Sequence, residues 1–210
     1  MRCWELDSSN QQRASALSKY KALAFFSAGR LLSMPLTQYS DTRLSMRRLM
    51  ISAFVANLVL TLVSLLILPD PVAIHFRGGG IPDAWASKWT HALIFMVIQL
   101  PLFALCLSVG RLTLNSPAKW ISLPNKDYWL KPENRKELEA RFSALIEEFG
   151  VALFAFLFLV GLLTLDANLS DPVRLNESLL LMFFAAFMLY VLYWLIKLLR
   201  RMKVPRQVSN

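Results

Sequence analysis

With 56% hydrophobic and only 18% charged residues over 210 positions, and a mean hydropathy of +0.45, this chain is too apolar for an ordinary soluble domain. Its formal net charge is +9, but the basic residues avoid the long apolar runs. They therefore report membrane orientation and attraction to anionic lipid rather than nucleic-acid binding.

Residues 1–45 form the first segment. Lys19, Lys21 and ALAFFSAG have the outline of a secretory signal, but Arg30 follows at once, the apolar run is too short to span, and no small-residue cleavage pattern is visible. The segment reads as a cytoplasmic arm, disordered or lying on a surface. Met46-Arg47-Arg48, standing directly before an apolar run, also has the look of a natural start. A membrane domain over 46–203 and a tail over 204–210 complete the expected organisation.

Leu49 to Leu68 holds no ionisable side chain, and its 20 residues reach roughly 30 Å as a helix, the thickness of a hydrocarbon core. The same test places further spans at His91–Gly110, Phe149–Leu165 and Leu179–Leu199. Continuous apolar runs of this length must pair their own backbone groups in lipid, so the expected fold is all-α and integral to the membrane, with four transmembrane helices. Apart from end residues such as His91, Asp166 and Lys197, these spans carry no charge, which disfavours proton relays and ion-coupled transport. Asn57, Thr61 and Ser64 share a face of the first span, and Gln99 and Cys106 one of the second; hydrogen-bonded helix packing is their expected role. Pro101 should kink the second span.

Of the 23 basic residues, only Arg77, Lys88 and Arg174 fall in the two connections that follow odd-numbered spans. The positive-inside bias then puts both termini and the middle connection in the cytoplasm of a bacterial inner membrane. Cys3 and Cys106 both fall toward that reducing side, so a structural disulfide is not expected.

The inner connection mixes aromatic and basic residues in WISLPNKDYWL, residues 120–130, which suits an anchor at headgroup level. Pro132 is well placed to open a helix in which Leu138, Phe142, Leu145, Ile146 and Phe149 recur at helical spacing. This amphipathic helix, with Arg135–Glu139 and Glu137–Arg141 spaced four apart, is expected to run along the inner surface before rising into the third span.

The outer connection, LPDPVAIHFRGGGIPDAWASKW over residues 68–89, is the richest in chemistry. Its three glycines lack the Lys-Ser/Thr pair of a phosphate loop and read as a permissive turn. His75, His91, Asp70 and Asp83 match no metal-ligand spacing, so neither a metal nor another cofactor is expected. Trp85 and Trp89 suit an outer aromatic belt. The prolines and Gly80 favour an ordered outer loop folded over the helix ends, with His75 and Asp83 meeting loop backbone groups. Asn168-Leu-Ser170 and Asn176-Glu-Ser178 are glycosylation-type triplets on the other outer connection.

LPDPVAIHF, Gly80 and PDAWASKW together resemble the signature of the bacterial membrane family known as domain of unknown function 1648. Pro69, His75, Phe76, Gly80, Pro82, Asp83, Trp85, Ser87 and Lys88 carry the likeness. LPNKDYWLKPENRKE is similar to the inner-loop pattern of stand-alone members, through Pro124, Asn125, Lys126, Tyr128, Trp129, Leu130 and Pro132. The resemblance implies a small multi-span protein; one group of the family includes a membrane immunity protein that protects its producer against a peptide toxin. The chain departs from that group in lacking its additional spans and in the Arg77-Gly78-Gly79 stretch.

Two functional classes fit these residues. One is a non-enzymatic binder or sensor of an extracytoplasmic ligand, the other a membrane-interface enzyme or transport accessory using His75 and Asp83. The first is preferred, because acid–base chemistry needs a pocket and an orienting third group, and no catalytic constellation is visible. Partners compatible with it are membrane lipid, an extracytoplasmic peptide or small molecule, and a second copy of the chain.

Overall fold

The computed structural model describes residues 36–117, 119, 121 and 123–203. Most of the expected N-terminal arm (residues 1–35, with Cys3), Trp120 and the 204–210 tail lie outside the described residues. In chain order the elements are α1 (Leu36–Ile67), β1 (Val72–Arg77), β2 (Ile81–Ala86), α2 (Lys88–Asn115), α3 (Lys126–Trp129), α4 (Arg135–Leu169) and α5 (Glu177–Arg201). Among the described residues, four stretches are long and apolar enough to cross a membrane: Leu44–Ile67, Lys88–Gly110, Arg135–Leu169 and Glu177–Arg201. The protein is a multi-pass, mostly helical membrane protein.

The α4 helix is the centre of the bundle within Thr42–Val204, which forms one compact unit. It packs against both α2 and α5, and its Phe154 is fully buried with Met50, Phe54 and Cys106. Phe54 stacks on Phe103 at 4.1 Å and meets Phe154 edge-on at 5.4 Å, so rings from three helices interlock. Glycine lets α1 approach α4 closely. A Cβ on Gly150 would stand 2.5 Å from Met50 Sδ, and one on Gly161 2.8 Å from Leu60 Cδ2. Because lipid is as apolar as leucine, such contacts and interhelical hydrogen bonds hold the helices together. Asn57 supplies one of the latter by donating to Phe154 O at 2.8 Å. The outward faces, including Val55, Val59 and Leu62 of α1 and Leu181, Leu189 and Leu192 of α5, remain exposed for lipid.

Several expectations are revised by the structure. The outer connection, expected as an ordered loop without regular pairing, is an antiparallel β-hairpin. The inner amphipathic segment and the third span are one unbroken helix. The segment is the first part of α4, with Leu138 and Leu145 fully buried. Starting that span at Arg135 rather than Phe149 also brings Glu147 and Glu148 into a spanning helix. Glu147 is only 2% exposed, and Glu148 pairs with Lys197 of α5. The second helix runs on through Pro101.

The hairpin-distal end has its own core, built on Trp129, Leu138, Leu145, Trp194 and Met202. Trp129 is completely buried, which corrects its reading as a headgroup anchor. Its Nε1 donates to Met202 O at 2.9 Å, and Asn125 Nδ2 reaches the same carbonyl at 3.2 Å. Arg141 donates to Arg201 O, pairs with Glu137 at 2.5 Å and lies over the Trp129 ring at 5.1 Å. The inner-loop motif thus satisfies carbonyls at the end of α5 that have no helical partner. Asn125 adopts the left-handed conformation (φ 57°) that asparagine tolerates, and Asn134 Nδ2 ties the loop to Tyr128 O.

Candidate functional site

The outer segment forms strands because VAIHFR and IPDAWA alternate in burial about the turn at 78–80. Pairing runs from Val72↔Ala86 to Arg77↔Ile81, with irregularities on either side of His75. Gly79 (φ 82°) and Gly80 (φ 72°) supply the left-handed turn, and Gly80 N closes it on Arg77 O at 3.0 Å. Pro82 fits β2 because a two-stranded sheet gives that strand a free edge.

Two contacts dock the hairpin on the helices. Ala73, fully buried, gives its N–H to Asn168 Oδ1 at 2.8 Å and takes Asn168 Nδ2 on its carbonyl at 3.1 Å. At the turn, Gly79 N donates to Glu177 Oε2 at 2.6 Å, and Arg174 Nε donates to Gly79 O at 3.0 Å. Leu175 N donates to Gly80 O at 2.9 Å. The two outer connections are therefore zipped together mainly through backbone groups. Asn168, Arg174 and Glu177 were not singled out for this role from sequence. Asn168 looked like a glycosylation-type residue, yet it is 3% exposed with its amide committed to protein. Asn176 instead caps α5 by accepting from Leu179 N at 3.1 Å.

The motif residues divide by role. Ser87 is the N-cap of α2 and accepts from Thr90 N at 3.2 Å, Lys88 begins that helix, and Pro69 lies just beyond the end of α1. Phe76 and Pro82 face each other across the strands, half-buried. His75 Nδ1 and Asp83 Oδ1 lie 2.6 Å apart, paired with each other and not with loop backbone. Their side chains are 69% and 37% exposed. Trp85 and Ile81 are also exposed. His91 is separate from this group, buried among the helices, and the described residues contain no cluster of three or more His, Cys, Asp or Glu able to hold a metal.

Below the hairpin, α1, α2 and α4 border a partly open cavity of about 10 Å³, lined by Asn57, Thr61, Ser64, His91, Gln99 and Gly161 among others. Asn57, Thr61 and Ser64 each donate to a backbone carbonyl, at 2.8–3.0 Å.

One continuous segment supplies the hairpin and nearly all of this polar lining. Residues 53–100 match DUF1648, a domain of unknown function. The DUF1648 segment runs from α1 through the hairpin into α2 and ends one residue before Pro101. No curated protein and no solved structure matches the chain.

Proposed function

We propose that this DUF1648 protein is a non-enzymatic binder or sensor in a bacterial inner membrane, with both termini cytoplasmic, and that the β-hairpin meets an extracytoplasmic peptide or small molecule. One observation carries the reading: the hairpin is fixed through Ala73, Gly79 and Gly80, while His75, Asp83, Trp85 and Ile81 are left facing outward. A rigid platform with an aromatic and a polar pair on its open face loses little entropy on binding. The distal end supports a lipid role, because Lys126, Lys131, Lys136, Arg200 and Lys203 are all exposed there. Nucleic acid has no part in this reading, and the exposed helix faces leave room for a second copy of the chain.

The 2.6 Å His75–Asp83 pair supports a second reading, a membrane-interface enzyme or transport accessory. A photo-crosslinking residue at Trp85 in living cells separates the classes when combined with the double substitution His75→Ala, Asp83→Ala. Binding through the platform predicts an outer-face adduct at Trp85 that survives the double substitution with reduced yield. A phenotype abolished by that substitution, with normal protein level and no adduct at Trp85, would favour catalysis.

A further inference from the structure

We propose that the cavity beneath the hairpin is a built site for one ordered water molecule, which donates a hydrogen bond to Gln99 Oε1 and links α2 to α1. Gln99 is 2% exposed, and among the described residues its Oε1 has no protein partner. A buried amide oxygen in that position costs free energy unless a donor reaches it.

The hydroxyl and amide neighbours have spent their donors elsewhere, and the His91 ring, though it lines the cavity, makes no hydrogen bond to Oε1. Thr61 gives its hydroxyl proton to Asn57 O at 3.0 Å and Ser64 gives its own to Leu60 O at 2.8 Å. Asn57 Nδ2 spends its two protons on Ala53 O and Phe154 O. What these side chains still offer the cavity is lone pairs, so the occupant must bring protons. Its size is set by the cavity: about 10 Å³ of accessible space accommodates about one water. A monovalent cation would also satisfy oxygen atoms, but no carboxylate lines the cavity to balance its charge in a membrane interior. Water is the neutral species that donates twice and still accepts, and the His91 ring stands at the same cavity to complete its coordination. Asn57, Thr61, Ser64, His91 and Gln99 all belong to the DUF1648 segment, so the site is intrinsic to that unit.

The sign of one substitution tests the proposal on the full chain in detergent or nanodiscs. Gln99→Met keeps the length of the side chain and removes the acceptor. If water is bound, the change strands it and the hydroxyl lone pairs, and the Tm falls by about 2–6 °C. If Oε1 is instead buried without a donor, the change relieves that cost, and an unchanged or raised Tm overturns the proposal. A high-resolution map of the unaltered protein gives an independent reading, expected to show a peak about 2.7–3.2 Å from Gln99 Oε1. A cavity without density, or a peak with the shorter multi-oxygen shell of a metal ion, overturns it whether or not the variant folds.

Discussion

Asn168, in the last turn of α4, holds Ala73 of β1 by both of that residue's backbone groups, at 2.8 and 3.1 Å. A side-chain amide here imitates the edge of a neighbouring strand, so β1 gains a second line of hydrogen bonds, from a helix. Replacing Asn168 with leucine leaves a buried N–H and a buried carbonyl without partners. Each orphaned group costs about 1–3 kcal/mol. The expected result is a marked loss of thermal stability, with fast amide exchange at Ala73 while the lower helices stay protected. Exchange at Ala73 as slow as in the parent would show that Asn168 does not hold the hairpin.

The turn makes a sharper comparison between neighbouring glycines. A Cβ on Gly80 would lie 2.0 Å from Leu175 O, and its φ of 72° is costly for any other residue, whereas a Cβ on Gly78 meets nothing within 4 Å. Gly80→Ala should therefore lose about 1–3 kcal/mol from backbone conformation alone, with the collision added. Gly78→Ala should stay within about 0.5 kcal/mol of the parent. Denaturant or thermal unfolding of the two variants side by side is the measurement, and equal stabilities would contradict the docked turn.

The four spans were legible because a run of some twenty apolar residues has few structural solutions in lipid. The hairpin was harder to read. His75, Arg77 and the glycines carry loop-like chemistry, and VAIHFR becomes a strand only through pairing with a β2 that contains Pro82. Asn168 and Glu177 could not be assigned from local pattern, since their partners lie 95 and 98 residues away. Glu147 was missed because the third span was started after it, although Leu138 and Leu145 already marked a helix running inward. Trp129 misled in the opposite sense. An aromatic among lysines reads as an interfacial anchor until the carbonyl it caps, Met202 O, is brought next to it.

Orientation is checked by two single cysteines in a Cys3→Ser, Cys106→Ala background. Gly78→Cys at the hairpin tip should react with a membrane-impermeant maleimide in intact cells, and Lys203→Cys at the end of α5 only after permeabilisation. The distribution of Lys and Arg demands this opposition. Identical behaviour of the two sites would overturn the inward placement of the C-terminal end.

Trp129 connects the inner loop to the end of α5, and two substitutions separate its packing from its hydrogen bond. Phenylalanine keeps most of the buried ring but cannot donate to Met202 O, which Asn125 still reaches at 3.2 Å. The expected cost of Trp129→Phe is about 1 kcal/mol, the net value of one hydrogen bond with a surviving partner. Trp129→Ala also empties the core beside Leu138, Leu145 and Trp194 and removes the ring beneath Arg141, so a loss of about 3–5 kcal/mol is expected. Limited proteolysis near Arg200 and Lys203 should follow the same order, with the alanine variant cut fastest. Comparable stability and cleavage for parent and alanine variant would mean that Trp129 does not hold this end of the bundle.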